Sequence, residues 1–383
     1  MKNKEGNFYK SVSILVGTVV GAGVFGLPYV VAKIGFIPGM VYLIILAAAV
    51  LIVTLGYGEV VLRTKGNYQM SGYVGRYLGN KGKFFITISL ILGIYGGLLA
   101  YTIGVGNFLF AILHPFLGGT PLIYSLIFWL VASSAVFYGL DIIAPLELFM
   151  VGLLVFVIFF IFGISLPEIR LSNLTYINFH YLFLPFGVML FALGGASAIP
   201  AMKEVLEKGK QLSSLKKAII LGMVIPVIIY LVFSFAVVGV NGPATSEQVV
   251  SGLSPVLGRK IVYLAGILGI LTMATSFLAL SYVLKGVYQR DYHLSPFIAS
   301  FLTCSLPLII FLLGLRSFVQ VLGISGAILS GFQGILLLMT YQRAKQLGNR
   351  RPEYELKLPH FFLYLLYFIF SLGIIYQIIY LLI

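Results

Sequence analysis

Charge is scarce in this sequence. Of 383 residues, only 9% are Asp, Glu, Lys or Arg, against 60% that are hydrophobic. A soluble domain carries about 25% charged residues, so there is too little polar surface here to wrap a water-soluble globule, and lipid must be the main solvent. Cysteine is scarcer still. Cys304 stands alone in an apolar run, which excludes an internal disulfide and any Cys-based metal pattern. The four histidines and eleven acidic residues form no Walker, HExxH or Ser-His-Asp arrangement, so neither an ATP-driven pump nor an enzyme has support. No resident cofactor is called for, and no long polar stretch makes room for a second, soluble domain.

What fills the chain is apolar runs. A helix needs roughly 20 apolar residues to cross the hydrocarbon core. Eleven such segments are predicted, at about 11–35, 38–61, 84–112, 121–139, 143–166, 180–201, 217–240, 259–285, 296–314, 318–341 and 360–383. The fourth and fifth are parted only by Gly139, Asp141 and Pro145. The opening Met1-Lys2-Asn3-Lys4 has the look of a signal peptide, but no small-x-small cleavage site follows and the apolar run continues through Pro28. It reads as the first membrane helix.

The formal net charge of +14 does not point to nucleic acid, because the basic residues sit in short clusters between apolar runs. With the N-terminus in the cytoplasm, twenty of the 25 lysines and arginines fall inside, and five (Lys33, Arg170, Arg259, Lys260, Arg316) fall outside. That asymmetry follows the positive-inside rule. An odd number of segments then places the C-terminus outside a plasma (cell inner) membrane.

Two segments are poor helices in the middle. The first contains Gly17-Thr18-Val19-Val20-Gly21-Ala22-Gly23-Val24-Phe25-Gly26-Leu27-Pro28, and the sixth contains Phe191-Ala192-Leu193-Gly194-Gly195-Ala196-Ser197-Ala198-Ile199-Pro200. Glycine costs about 1 kcal/mol and proline about 3 in a helix interior. Unwound backbone at mid-membrane survives only where it is buried in protein or lines a polar cavity. The stretch from Gly23 to Pro28 matches that from Gly195 to Pro200, five segments apart and in opposite directions. Matched broken helices of opposite direction indicate inverted five-helix repeats with a site at their interface. The repeats span about 11–166 and 180–341, with 360–383 as an extra helix. The bland alternative is that the small residues only let helices pack closely.

At these residues the sequence resembles the amino acid/auxin permease branch of the amino acid–polyamine–organocation superfamily, and it is similar to the bacterial aromatic (tryptophan/tyrosine) amino acid permeases. Glu59-Val60-Val61-Leu62-Arg63-Thr64 and Gly72-Tyr73-Val74-Gly75-Arg76-Tyr77-Leu78-Gly79 extend the likeness, which covers nearly the whole chain. The resemblance implies an all-α, leucine-transporter-like fold with helices one and six broken, and secondary active transport of amino acids. Ala196 departs from the pattern, since some branches carry histidine or asparagine there.

An amino acid is a zwitterion, and its carboxylate needs donors where unsolvated charge is expensive. Free N–H groups of Ala22 and Gly23, at the positive end of the second half of the first helix, supply them, with Gly21 allowing close approach. Carbonyls of Phe191, Ala192 and Leu193, freed where the sixth helix breaks before Gly194, would accept from the ammonium, and the Ser197 hydroxyl adds a polar contact. No charge is predicted near the midplane, so the substrate reads as neutral, and the resemblance implies an aromatic or hydrophobic amino acid. Tyr95, Tyr101, Asn107 and Phe191 are pocket candidates.

The coupling ion is sodium or a proton. In sodium-coupled members of this fold, carbonyls of the first helix meet hydroxyls of the eighth. Carried over by motif, these are Gly17 and Val20 with Thr275 and Ser276, and Thr272 contributes its carbonyl. Hydroxyls at this spacing share one helix face, and the bland reading is helix–helix adhesion. Some proton-driven relatives place a fifth-helix lysine in the sodium position, and the fifth segment has no lysine. Among polar groups near the membrane, Glu59 pairs with Arg63 at i, i+4, Asp141 and Glu147 read as interfacial anchors, and His114 and His180 as interfacial residues. Two other functions share the scaffold: an amino-acid-sensing receptor, and a permease for another small solute such as a nucleobase, polyamine or metal ion. The partners expected are the substrate and the lipid bilayer, with the protein a monomer.

Overall fold

The computed structural model describes residues 2–138, 143–247, 258–290 and 292–382, and among them every regular element is helical. Helices α1 (Lys2–Val19) and α2 (Gly23–Ile34) are the two halves of the first segment, bent by 56° at the glycines. Then come α3 (Phe36–Arg63), α4 (Met70–Leu117), α5 (Pro121–Tyr138), α6 (Ile143–Ser165) and the short α7 (Leu171–Thr175). The sixth segment is α8 (Leu184–Ala192) and α9 (Ile199–Lys208), with six residues of irregular and 3-10 backbone between them. The rest are α10 (Leu215–Asn241), α11 (Arg259–Arg290), α12 (Pro296–Leu312), α13 (Phe318–Ile324), a π-helical segment Ser325–Ser330, α14 (Gly331–Leu347) and α15 (His360–Leu382).

Among the described residues, eight helical runs are long and apolar enough to cross a membrane, or nine with the bent α1–α2 pair taken as one span. The apolar helix α12 and the stretch Gly152–Glu168 are shorter, so a count of eleven rests on these two. Residues 139–142, including Gly139 and Asp141, lie outside the described residues, as do the side chains of Pro145, Glu147, Arg259, Lys260 and Arg290.

The packing of the broken helices fixes their relative direction. Half α1 packs on α9, and half α2 packs on α8. Because α8 precedes α9, the two broken helices run antiparallel, breaks side by side. Helix α10 backs both, touching α1 and α2, while α11 packs on α4 and α6.

Several helices outrun the predicted segments. Helix α4 begins at Met70 rather than near 84 and is interrupted only at Gly79, whose φ of 71° a side chain rarely adopts. Helix α9 continues to Lys208, and α11 to Arg290. Polar residues end a membrane span, but they do not end a helix, and apolar-run counting cannot tell the two apart.

Candidate substrate site

Each break leaves a short series of bare donors. In the first, Val20 N–H still reaches Val16 O at 2.8 Å, and hydrogen bonding resumes with Val24 N–H to Gly21 O (3.2 Å) and Phe25 N–H to Ala22 O (3.1 Å). Between them, the N–H groups of Gly21, Ala22 and Gly23 donate to no backbone carbonyl among the described residues. In the second, Gly194 N–H reaches Phe191 O at 3.1 Å and Ala198 N–H reaches Gly195 O at 3.0 Å, while the N–H groups of Gly195, Ala196 and Ser197 likewise find no backbone acceptor among the described residues. Pro200 sits in the first turn of α9, where a missing N–H and a fixed φ are well tolerated. Both sets of donors sit at helix N-termini, where the partial positive charge of the macrodipole favours a carboxylate.

A cavity of about 200 Å³ lies at these breaks. Of the predicted residues, Gly21, Ala22, Gly23, Phe191, Gly194, Ser197 and Tyr101 line it. Ala192 and Leu193 do not; both are buried against protein. The Ala192 carbonyl already has a partner, the hydroxyl of Tyr230 at 2.7 Å, and the same hydroxyl lies 2.7 Å from Val19 O. One buried phenol on α10 therefore bridges the carbonyl ends of both broken helices. Tyr95 and Asn107 are not among the lining residues. Tyr95 turns to the hydroxyl of Tyr288 and to Leu302 O (3.1 Å).

The residues expected to hold sodium are not gathered at the cavity. Thr272, Thr275 and Ser276 are buried on α11. Thr275 donates to its own helix, at Thr272 O (2.9 Å), while the Thr272 hydroxyl finds no partner among the described residues. No hydrogen bond joins Gly17 or Val20 to these hydroxyls among the described residues, and α1 packs chiefly on α9 and α10. The remaining polar candidates are peripheral or local. His114 and His180 are exposed, and Glu59 accepts from Arg63 Nε at 2.7 Å.

Several lining residues carry no signal in the apolar pattern. Ser325, Ser330 and Gln333 enter from the π segment and α14, and Gly93 and Gly97 of α4 complete the wall with Thr54 of α3. The glycines of α4 were the available hint, because a membrane helix bare on one side admits something against its backbone.

The cavity is closed at one end and reaches toward the other. On the side of Ile34, buried Phe25 meets Phe108 edge-on at 5.1 Å and Phe233 at 6.2 Å. Gly26 is packed against Leu322 and Val188, and Gly104 against Met273 and Phe318. Toward the opposite end the lining continues through Thr18, Val50, Leu90 and Leu337. There the α14–α15 connection crosses the end of α3 as a strap. The fully buried Glu59 accepts from the Leu356 N–H at 2.6 Å, and Tyr354 donates to Leu55 O at 2.7 Å. Arg350 donates to Leu62 O at 2.8 Å, and Arg63 reaches Glu355 at 3.0 Å. Burial, and then the nearby Glu59 carboxylate, push the Tyr354 phenol well above its ordinary pKa and keep it a donor. Beside the strap, buried Lys203 of α9 donates to Gly66 O and Asn67 Oδ1, both at 2.8 Å.

Solved structures share this fold. MhsT in complex with L-phenylalanine superposes with a TM-score of 0.63 at 16% identity, over 96% of this chain and 97% of that one. Mhp1, a nucleobase-cation-symport-1 family transporter with bromovinylhydantoin bound, does so with a TM-score of 0.60 at 15% identity, over 86% and 77%. The fold is the leucine-transporter-like one. Among curated proteins, glutamine transporter 2 of Aliivibrio fischeri is 26% identical over 333 residues, 84% of this chain and 85% of that protein. Tyrosine-specific transport system 1 of Haemophilus influenzae is 24% identical over 363 residues, 89% of each. The sequence model of the tryptophan/tyrosine permease family matches residues 4–380, and the chain belongs to that family.

Proposed function

We propose that this protein is a secondary active transporter and not an enzyme, carrying a neutral amino acid across the plasma membrane by symport with sodium or a proton. The observation that carries this reading is the cavity at the paired breaks, where the N–H groups of Gly21, Ala22 and Gly23 have no backbone acceptor among the described residues. A zwitterion is the ligand such a place suits. Its carboxylate meets bare donors at a helix N-terminus, in a volume lined by no charged side chain among the described residues. A charged side chain would be left there without a partner, at a large desolvation cost. Phe191 and Gly194 line the same cavity, and the Phe191 carbonyl, which accepts from the Gly194 N–H, has a second lone pair for the ammonium.

On this reading the repeats span about 11–166 and 180–341, with α12 and the stretch Gly152–Glu168 completing eleven spans and 360–383 as the extra helix. The chain sits in the amino acid/auxin permease branch, works as a monomer, and keeps its N-terminus in the cytoplasm and its C-terminus outside. The closed aromatic end then faces out, and the strap faces the cytoplasm. Gly17, Val20, Thr272, Thr275 and Ser276 form the sodium site if sodium is the coupling ion. Their two halves would close on each other in another state of the transport cycle.

Counterflow in proteoliposomes tests the proposal. Vesicles loaded with an unlabelled neutral amino acid are expected to accumulate the labelled form transiently. Binding without counterflow would overturn transport and favour a sensor on the same scaffold.

A further inference from the structure

Helix α13 passes into α14 through the π-helical segment Ser325–Ser330. Such single π turns often mark functional sites. Their geometric effect here is specific. In an α-helix, residues five apart lie about 140° apart around the axis. The wider π turn brings positions i and i+5 toward one face, so Ser325 and Ser330 both line the cavity, joined by Gln333 one turn on. The distortion is built in. Gly187 of α8 meets the carbonyl of Gly323, and Gly326 meets the carbonyl of Gly187, with no space for a Cβ at either glycine. Ser89 of α4 donates to Leu329 O within the segment at 3.0 Å.

The three side chains are polar, face one cavity and make no hydrogen bond within the protein among the described residues. The Gln333 amide nitrogen lies over Gly93, where a Cβ would stand 3.6 Å away, and the Ser330 hydroxyl lies 4.0 Å from where a Gly194 Cβ would be. The polar wall thus begins beside the second break and runs away from it along α4. An amino acid held by its carboxylate and ammonium at the breaks would direct its side chain at this wall. Leaving an amide and hydroxyls facing an apolar side chain in a desolvated pocket costs their hydrogen bonds with water.

We propose that Ser325, Ser330 and Gln333 are specificity-determining residues. They select a neutral amino acid whose side chain ends in an uncharged hydrogen-bonding group, either a phenol hydroxyl or a carboxamide, over its apolar counterpart. This rests on the amino-acid reading of the cavity and goes beyond it. The two side-chain chemistries are those of the tyrosine and glutamine named for the relatives. A site built to hydrogen-bond a substrate group rejects the analogue that lacks it, whereas an apolar pocket only weakly rejects an added hydroxyl.

The purified full chain, in detergent or proteoliposomes, is titrated with two matched pairs, tyrosine against phenylalanine and glutamine against methionine. Binding is read by thermal stabilisation and isothermal titration. At least one polar member is expected to bind about tenfold or more tighter than its apolar partner. Gln333→Leu, and separately Ser330→Ala, should shrink that ratio to about threefold or less, chiefly by weakening the polar member, with the apolar member's affinity changed by less than about threefold. If Gln333→Leu does not fold, Ser330→Ala carries the same comparison. Apolar members binding as well as or better than polar ones, or ratios unmoved in both variants, would overturn the assignment and leave amino acid transport intact. No stabilisation by any of the four, nor by other neutral amino acids, would overturn both.

Discussion

Gly23 and Ala192 meet backbone to backbone where the two broken helices cross. A Cβ built on Gly23 would stand 2.6 Å from both the Cα and the Cβ of Ala192. The contact holds the bare donors of the first break beside the end of α8, so the spacing of the candidate site is set by the absence of one methyl group.

Gly23→Ala is therefore expected to push the halves apart. Overpacking of this kind costs about 1–3 kcal/mol, and because the obstacle is backbone the strain falls on the site itself. Uptake should fall about tenfold or more, while thermal unfolding shifts only modestly. Unchanged uptake would show that the breaks do not hold the substrate.

Tyr230→Phe removes a single oxygen, but that oxygen is within 2.7 Å of both Val19 O and Ala192 O. An unsatisfied buried carbonyl costs about 1–3 kcal/mol. A lower melting temperature is expected, with substrate affinity weakened by about fivefold or more because both breaks lose their common anchor. A melting shift with unaltered affinity would reduce Tyr230 to a packing residue.

Glu59 is completely buried and holds both Arg63 and the Leu356 N–H. Hydrogen bonds to a charged group contribute about 1.5–3 kcal/mol, so Glu59→Gln should loosen the strap across the end of α3. Hydrogen exchange at residues 349–356 is expected to speed up, with little change at the α2–α8 contact. Equal exchange in both proteins would mean that the strap is held without Glu59.

Sodium, if it is the coupling ion, should be read at α11. Thr275→Ala and Ser276→Ala are then expected to raise the half-saturating sodium concentration about tenfold, with substrate affinity at saturating sodium nearly constant. Uptake that follows an imposed pH gradient and ignores sodium in the parent protein would assign the proton instead.

The broken helices could be read from the sequence because glycine and proline act locally, making a helix costly at the position they occupy. That carried the reading to Gly21–Gly23 and to Gly194. What it could not show was the opposite wall of the cavity. Ser325-Gly326-Ala327-Ile328-Leu329-Ser330 counts as ordinary apolar helix, and on an α-helical wheel its two serines point apart. Only a one-residue change of register turns them together, and that register depends on Gly187 pressing from another helix. Tyr230 escaped for a related reason. The sequence says where α8 must end, but not that a phenol from α10 occupies the freed carbonyl. The ion candidates show the same limit. Periodicity places Thr272, Thr275 and Ser276 near one another on one helix, and it does not say which helix that face meets.

Helix α15 lies at the rim of the bundle, with Leu363, Leu366, Phe370, Gly373 and Gln377 forming its buried stripe. Phe370 from that stripe lines the cavity and packs on Gly334. Helix α15 thus supplies part of the chamber wall. Were it displaced, the wall at Gly334 would stand open, so the seating of α15 on α14 and on the π segment is what seals that side of the chamber.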